Sequence, residues 1–411
     1  MFRSFLRMSA VGTVLALIMS ACSTDAPTTT SDEDGQSVHR SGDPIPGQYI
    51  VVFQEEALVQ KGESLQSFSH EERLGLVRTV SNRVATQFAI APSHITATFG
   101  SAVQGVVMTN LTKDMVDRLK SDPRIRYVEQ DRWVSLPPFE ILGKPSGATG
   151  TQPAQTTPWG ITKVGGPEAP SGDNVAYIVD TGLDVDHPDL NVLATQGRDF
   201  TNARKKSVDD GNGHGTHVGG TVGAKDNSIG VIGVAPGIGL IPMKVLTSSG
   251  SGQFSWSIAA FDYIAANGDA GDVVNYSVGP TSRYTSTLID DAVTNLAAQG
   301  IKIAMAAGNA NDDCTYYSPA RVNGGNIYTI AAMTSSTAKA SYSNYGAPVD
   351  YWLPGSSVYS TYRGGGYATL SGTSMASPHG CGILAVGGIA VGGSNVTGVP
   401  SGTTTNWGQR D

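Results

Sequence analysis

Short apolar runs and helical patterns alternate from residue 47 onward, and their arrangement changes near residue 137. Before that point, four apolar runs predict strands at residues 49–53, 94–99, 105–109 and 125–129. Helical spacing over residues 64–89 and a short pattern capped by Thr112 predict one helix after the first strand and one before the last. The order β-α-β-β-α-β is ferredoxin-like, and that fold predicts no activity by itself.

Beyond residue 157 the same kinds of segment alternate more regularly. Apolar runs lie at residues 175–179, 240–246, 273–276, 303–307 and 327–332, and helical patterns at 255–266 and 286–299. This alternation is typical of a mostly parallel sheet covered by helices on both faces. The predicted fold class is therefore α/β, preceded by a small ferredoxin-like α+β domain.

The amino terminus has the pattern of a secretory signal. Arg3 and Arg7 precede an apolar run at residues 8–19, and small residues follow it, so residues 1–22 are interpreted as a signal peptide. The ending Met-Ser-Ala-Cys22 resembles a bacterial lipobox, which predicts lipidation of Cys22. Cleavage without a lipid is the alternative. No later apolar run reaches the roughly 18 residues needed to span a bilayer.

Two stretches rich in Pro, Gly, Ser and Thr divide the rest of the chain. Residues 23–45 are predicted to be a flexible tether, and residues 137–157 a linker. These stretches delimit a first domain at residues 46–136 and a larger domain at residues 158–411.

Composition excludes several classes of protein. The 411 residues include 27 Lys and Arg against 35 Asp and Glu, a net charge of −8, so no basic surplus exists for binding nucleic acid. An apolar share of 39% supports sizeable cores. The three cysteines do not make a disulfide scaffold.

The first chemical motif is Asp180-Thr181-Gly182, which follows an apolar strand. Ligands bind at the carboxyl ends of strands in open α/β sheets, so this carboxylate could orient a histidine there. A loop-capping aspartate is the alternative. Aspartic proteases also use Asp-Thr-Gly, but they need a second copy, which this sequence lacks.

The second motif runs from Asp210 to Thr221 and contains His214 and His217 after a glycine-rich turn. The two histidines predict either a zinc site or a catalytic base beside a structural residue. Zinc requires further ligands at suitable spacing, and no H-E-x-x-H pattern is present, so the catalytic interpretation is favoured.

The third motif is Gly372-Thr373-Ser374-Met375, at the predicted start of a helix. A serine there presents its Oγ, and its own N–H is left unsatisfied by the helix and can face a developing anion. A simple N-cap is the alternative function of Ser374. The motif is not G-x-S-x-G, which excludes an α/β-hydrolase elbow.

The three motifs occur in the order Asp, His, Ser, separated by 34 and 160 residues (180 to 214 to 374). In the order and the residues of these motifs, the chain resembles the subtilisin-like serine proteases, nearer the proteinase K branch. The resemblance covers about residues 158–385. It also makes residues 46–136 similar to the family's inhibitory propeptide, with a maturation cut between about residues 136 and 155.

The resemblance implies a role for each motif. Ser374 would be the nucleophile, His214 the general base and then acid, and Asp180 the carboxylate that fixes the imidazole tautomer. Asn309 matches the oxyanion-hole asparagine. Segments that match the family's peptide-binding strands comprise Ser249, Gly250, Ser251, Gly252, Ser277, Val278 and Gly279.

Structural calcium is also implied by the resemblance, and hard oxygen ligands suit that ion. The matching ligands of a first site are Asp189, Asn227 and the carbonyls of Lys225, Ile229 and Val231. A second site would combine Asp350 with the carbonyls of Gly325 and Ile327. Ordinary surface loops without an ion are the alternative at both places.

Two departures from the family pattern affect cysteines and the last helix. Relatives pair the position of Cys314 with a cysteine where this chain has Pro348, so Cys314 is expected to be unpaired, although a bridge to Cys381 stays open. Gly380 and Gly382 follow His379 and weaken the predicted helix. The tail from Gly392 is expected to have reduced structure.

The sequence therefore predicts a monomeric serine endopeptidase made as a zymogen, secreted or lipid-anchored at the bacterial cell envelope. Its predicted partners are protein or peptide substrates and its own propeptide, with no nucleic acid and no membrane contact beyond the possible lipid. A catalytically dead relative that binds or inhibits proteases is the alternative function, and a zinc protein using His214 and His217 is a third.

Overall fold

The computed structural model describes residues 39–136, 141–146 and 152–411. The predicted signal peptide and Cys22 lie outside the described residues. Within that part of the chain, no helix is long and apolar enough to cross a membrane.

The first domain follows the predicted order of elements. Its helices and strands are β1 (Pro44–Phe53), α1 (Glu55–Leu58), α2 (His70–Gln87), β2 (Ile95–Phe99), β3 (Gly105–Met108), α3 (Lys113–Lys120) and β4 (Ile125–Ser135). The strands form an antiparallel sheet in the order β2-β3-β1-β4, which is the ferredoxin-like arrangement. Thr112 caps α3 as predicted, with its side chain accepting the N–H of Met115.

Strand β1 presents alternate faces to two different cores. Val51 and Phe53 pack with the apolar faces of α2 and α3, whereas Ile50 and Val52 pack with residues of the larger domain. Because side chains alternate across a strand, the sheet of the first domain is covered by its own helices on one side and by the larger domain on the other.

A short strand, β5 (Leu142–Ser146), follows the first domain. It lies within the predicted linker 137–157, so that segment is not simply a connection. The predicted tether 23–45 also ends differently, because β1 begins at Pro44.

The larger domain contains a nine-stranded sheet in the order β16-β17-β13-β12-β11-β10-β6-β8-β7. All of its strand pairs except β16–β17 are parallel. Its strands are β6 (Val175–Asp180), β7 (Arg198–Asp199), β8 (Gly239–Lys244), β10 (Val273–Tyr276), β11 (Lys302–Ala306), β12 (Ile327–Met333), β13 (Tyr351–Pro354), β16 (Ile389–Gly393) and β17 (Trp407–Arg410).

Helices cover both faces of this sheet. The remaining elements are α4 (Trp159–Lys163), α5 (His214–Gly223), β9 (Ser251–Gln253), α6 (Phe254–Asn267), α7 (Thr287–Ala297), β14 (Val358–Tyr362), β15 (Gly366–Leu370) and α8 (Thr373–Val386). Tyr177 of β6 packs with α6 and α7 on one face, and Ile178 packs with α5 and α8 on the other. The predicted α/β fold class is confirmed.

The carboxyl-terminal tail differs from the prediction. Strands β16 and β17 extend the sheet beyond β13, so the segment after residue 388 is built into the fold rather than reduced. Cys314 and Cys381 are both buried and free, so no bridge joins them. Burial raises the pKa of the Cys314 thiol to about 12, which keeps it protonated and unreactive.

Candidate active site

The carboxyl end of β6 meets the first turn of α5 at a buried hydrogen-bonded pair, a carboxylate and an imidazole. Nδ1 of His214 lies 2.8 Å from Oδ1 of Asp180 and 3.0 Å from Oδ2. The two side chains are only 3% and 0% exposed. A carboxylate at Nδ1 fixes the ring orientation and tautomer, so Nε2 is the nitrogen presented for proton transfer.

Asp210 organises the loop before His214, and the sequence analysis assigned it no role. Its Oδ1 accepts the hydroxyl of Thr181 at 2.8 Å and the N–H of Gly213 at 2.9 Å. Its Oδ2 accepts the N–H and the hydroxyl of Thr216. One buried carboxylate therefore joins the two motifs that carry Asp180 and His214. An aspartate just before a helix start was the available signal.

Ser374 is the second residue of α8 and is buried beside Ser277. Its Oγ donates to the carbonyl of Ser277 at 3.2 Å, and the Oγ of Ser277 donates to the carbonyl of Ser374 at 3.1 Å. This reciprocal pair places the start of α8 against the end of β10. A pocket opens here, and its lining includes Ser277, Val278, Gly279, Pro280, Asn309 and Ser374.

Asn309 faces the same pocket in a fixed orientation. Its Oδ1 accepts both the N–H of Thr373 at 2.9 Å and the hydroxyl of Thr373 at 2.8 Å. Because both bonds use the oxygen, the amide nitrogen of Asn309 is directed away from Thr373, on the side of Gly372. The structure thus brings a donor amide close to the amino-terminal end of the helix that carries Ser374.

The predicted peptide-binding segment at residues 249–252 is paired with a strand of the first domain. β4 pairs antiparallel with β9, with Trp133 opposite Gln253 and Ser135 opposite Ser251. The pairing continues as the N–H of Leu136 donates to the carbonyl of Gly250 at 2.9 Å. Of the predicted residues, Gly250, Ser251 and Gly252 contact this strand, while the hydroxyl of Ser249 bonds to that of Thr247.

The first predicted calcium site is built around the fully buried Asp189. Its carboxylate accepts the amide of Asn227 at 2.8 Å and the N–H of Val231 at 3.0 Å. Burial raises the pKa of Asp189. The carbonyl oxygens of Lys225, Ile229 and Val231 accept none of the hydrogen bonds found among the described residues. A carboxylate and backbone carbonyls are the ligand types that suit a hard cation. Oδ1 of Asn227 accepts the N–H of Ile229 at 2.7 Å, and calcium at this place stays a prediction.

The second predicted site is less complete. The carboxylate of Asp350 accepts the N–H of Thr329 at 2.7 Å, two residues after Ile327. Burial raises the pKa of Asp350 to about 6. Gly325 is exposed on the turn that precedes β12. The three predicted residues lie at the amino-terminal ends of β12 and β13. Among the described residues, no group of three His, Cys, Asp or Glu side chains is placed there to hold a metal.

His217 and His379 are buried and bond to the backbone. Nε2 of His217 lies 3.0 Å from the carbonyl of Val358, and Nδ1 of His379 lies 2.8 Å from the carbonyl of Met375. Burial lowers the pKa of His217 to about 3 and that of His379 to about 4. In the described ranges, no group of three His, Cys, Asp or Glu side chains is placed to hold a metal, so the geometry does not favour a zinc site at His214 and His217.

Comparison with known proteins identifies the family. Residues 174–387 match the model of the subtilase family, and residues 48–137 match the peptidase inhibitor I9 model. The chain therefore belongs to the subtilase family and carries an I9 propeptide. The predicted class of enzyme, a subtilisin-like serine endopeptidase, is confirmed, whereas the proteinase K branch stays a prediction.

Several named relatives share most of this chain. Alkaline serine exoprotease A of Vibrio alginolyticus is 34% identical over 83% of this chain, which spans 60% of that relative's length. The extracellular serine proteinase of Thermus sp. (strain Rt41A) is 33% identical over 90% of this chain and 87% of its own. A crystal structure of a cold-adapted subtilisin-like serine proteinase is 33% identical, with a TM-score of 0.53, and covers 62% of this chain and 98% of its own.

Proposed function

We propose that this protein is a serine endopeptidase that acts through Asp180, His214 and Ser374 and is made as a zymogen. The observations that carry the proposal are the buried Asp180–His214 pair and, separately, the start of α8, which carries Ser374 and bonds to the amide oxygen of Asn309 through Thr373. These groups have the chemical capacities of a nucleophile, a general base with its orienting carboxylate, and an oxyanion donor.

The proposed reaction has two halves. Ser374 Oγ attacks the peptide carbonyl and gives its proton to His214, and the oxyanion is held by the N–H of Ser374 and the amide of Asn309. Collapse breaks the C–N bond, and His214 returns the proton to the leaving amine. Water then attacks the acyl-enzyme by the same route, which releases the acid and restores Ser374.

The substrate is an extended polypeptide. The edge of β9 already accepts one strand, β4, through main-chain hydrogen bonds. Recognition by strand addition depends on backbone groups, and pockets then select side chains. The pocket beside Ser374 is lined by Val278, Pro280 and Ala306 and by no charged residue, which favours an apolar side chain on the amino side of the cut.

Inhibition by the propeptide follows from the same contacts. Trp133 to Leu136 occupy the edge that substrate would use, so the uncut precursor blocks its own site. Maturation is proposed to cut the chain between residues 136 and 155. The mature enzyme is proposed to be a monomer that acts outside the cell, in line with the name of the Thermus relative, with or without a lipid on Cys22.

Structural calcium is proposed at Asp189 and Asn227, with the carbonyls of Lys225, Ile229 and Val231. Bound there, the ion would neutralise a buried carboxylate and hold the loop 225–231 against residue 189. Asp350 with Gly325 and Ile327 is the weaker second candidate.

A fluorophosphonate probe tests the proposed function. Wild type should react with the probe and process itself, whereas Ser374→Ala should remain unlabelled and uncut without added protease. Because a serine with no activated base does not react, an unlabelled wild type with intact fold would favour the catalytically dead, binding alternative. A Ser374→Ala chain that still reaches the mature size unaided would contradict self-processing.

A further inference from the structure

Asn275 is a buried amide on β10, in the middle of the parallel sheet. β10 lies between β6, which ends at Asp180, and β11, which leads to Asn309. Asn275 is opposite Ile178 on one side and Ala304 on the other. It is 0% exposed, so it lies beneath the surface that a substrate would contact. Its polar atoms therefore need partners inside the protein.

Both ends of the Asn275 amide bond to hydroxyl groups. The amide nitrogen donates to Oγ of Ser277 at 2.9 Å, and the amide oxygen accepts the hydroxyl of Ser377 at 2.8 Å. Ser277 directly follows β10, whereas Ser377 lies on α8, shortly after Ser374. Both serines are buried as well. The amide of Asn275 therefore joins the end of β10 to the beginning of α8.

The chemistry of the groups gives these hydrogen bonds one direction. The hydroxyl of Ser277 donates to the carbonyl of Ser374 at 3.1 Å, and a carbonyl can only accept. The single hydrogen of the Ser277 hydroxyl is used in that bond, so its oxygen accepts from Asn275. The amide must then present its nitrogen to Ser277 and its oxygen to Ser377. Asn275 thereby fixes the orientation of the Ser277 hydroxyl.

The carbonyl of Ser374 depends on this outside donor because Pro378 lies inside α8. In a regular helix the N–H of residue 378 would donate to the carbonyl of residue 374. Proline has no N–H, and its ring crowds the carbonyl four residues earlier. The hydroxyl of Ser277 takes the place of the missing donor. The first turn of α8 is therefore held from the sheet at the residue that carries the proposed nucleophile.

We propose that Asn275 is a positioning residue for Ser374. The amide orients the hydroxyl of Ser277, and that hydroxyl holds the carbonyl of Ser374 at the start of α8. Because the strands beside β10 lead to Asp180 and Asn309, the same contacts place Ser374 relative to these groups. Misplacement of a reacting group by about 1 Å can cost about 100-fold in rate. This inference rests on the proposed proteolytic function.

The kinetics of Asn275→Ala test the inference. Mature enzymes are compared on one peptide at equal concentrations of active sites, which titration with the fluorophosphonate determines. We expect kcat and the rate constant of inactivation by the fluorophosphonate each to fall about 10-fold, the effect of one buried hydrogen bond. KM should change less than about twofold, because Asn275 does not touch the substrate.

Ser257→Ala is the matched control. The hydroxyl of Tyr276 donates to Oγ of Ser257 at 3.1 Å, on α6 at the opposite face of the sheet. The control thus removes a buried hydrogen bond of the next residue along β10, on the side away from Ser374. It should lower the melting temperature but keep kcat within about twofold of wild type. An Asn275→Ala enzyme with the kcat of this control would overturn the proposal.

A double-mutant cycle tests the route through Ser277. Ser277→Ala should lower kcat, and Asn275→Ala added to it should lower kcat little further, because the hydroxyl that Asn275 orients is already absent. Effects of the two substitutions that multiply would overturn this route.

Ser377→Ala gives the same test from the side of α8 if Asn275→Ala does not fold. It removes one partner of the amide and leaves β10 unchanged. Its kcat should fall by a smaller factor than that of Ser277→Ala, and it should add nothing to Ser277→Ala. An unchanged kcat in Ser377→Ala, where Asn275→Ala is unfolded, would overturn the proposal.

The fluorophosphonate separates this inference from the proposed function. A folded wild type that does not react would overturn the proposed function and this inference together. A reactive wild type whose kcat and inactivation rate are matched by Asn275→Ala would overturn the inference alone.

Discussion

Asp262 of α6 accepts the N–H of Ser101 at 2.6 Å across the boundary between the propeptide and the larger domain. The same carboxylate accepts the N–H groups of Gly100 at 3.0 Å and Ala102 at 2.8 Å. One carboxylate thus satisfies three consecutive amides of a propeptide turn, and hydrogen bonds to a charged group are among the stronger ones.

We expect Asp262→Asn to release the cleaved propeptide earlier. The amide keeps the size of the side chain but lacks the charge, and we estimate a loss of about 2 kcal/mol, or about 30-fold in the dissociation constant. The measurement is the lag before activity appears after processing. Asp269→Asn, at an exposed position after the same helix, is the control and should leave the lag unchanged. Equal lags in all three proteins would contradict this prediction.

Asn309→Ala should lower kcat by about 10²- to 10³-fold and change KM little, because an oxyanion donor acts mainly in the transition state. Thr373→Val is the matched variant. It removes one of the two bonds that orient Asn309 and should have a smaller effect. Steady-state kinetics on one peptide separates these effects, and an Asn309 variant with raised KM and normal kcat would assign this residue to substrate binding instead.

Gly213→Ala should damage both stability and catalysis. Gly213 directly precedes His214 and has φ +108. A Cβ at Gly213 would lie 2.4 Å from the ring of Tyr362. Gly237→Ala is the control, because Gly237 has φ +79 but nothing within 4 Å of the added carbon. Both variants should lose about 1–2 kcal/mol from the left-handed backbone, but only Gly213→Ala should lose further stability and kcat. Thermal melting and peptide hydrolysis measure the two effects.

Calcium removal should lower the melting temperature of the mature enzyme. An ion present at about 1,000 times its Kd stabilises the folded state by about 4 kcal/mol. Asp189→Ala should lose most of the change in melting temperature that a chelator causes in wild type. Asp226→Ala alters the neighbouring carboxylate, which bonds to Gln155, and should keep the calcium dependence. A wild-type enzyme indifferent to chelator would contradict a bound ion.

His217 and His379 should each reduce stability as the pH drops below about 6.5, against the opposite contribution of Asp290 and Asp350, whose pKa values burial raises to about 6. Burial lowers the pKa of His217 to about 3 and of His379 to about 4, so both are neutral in the native state. The unfolded chain binds these protons near pH 6.5, and the native state does not. Each histidine therefore removes about 1.4 kcal/mol of stability per pH unit between its unfolded and folded pKa.

Melting of the inhibited mature enzyme between pH 7 and 4.5 measures this slope. His379→Gln should melt with a shallower pH dependence, because one of the two protons is no longer taken up on unfolding. His94→Gln is the control, because His94 is a partly exposed histidine of the propeptide. It is compared with His379→Gln in the uncut Ser374→Ala precursor, where His94→Gln should leave the pH dependence of melting unchanged. An identical pH dependence of melting in wild type and His379→Gln would rule out the linkage.

Much of the fold was visible in local patterns. The apolar runs at residues 175–179, 273–276 and 327–332 fall within β6, β10 and β12. Parallel strands buried on both faces are continuous apolar runs, so their position needs no knowledge of their partners. The motifs around Asp180, His214 and Ser374 were equally local, since each combines a turn or helix start with one reactive side chain.

Contacts between distant segments were not predicted. The sequence of β5 is Leu-Gly-Lys-Pro-Ser, and its Gly and Pro disfavour a strand. β5 nevertheless pairs with β15, which lies more than 200 residues later in the chain (142 to 369). Asp262 similarly binds Ala102, 160 residues away. The groups bound in both cases are main-chain N–H and C=O, which almost every residue carries. Sequence therefore marks where a strand or a reactive side chain can form, whereas the folding of the chain in space selects which backbone edge or amide it meets.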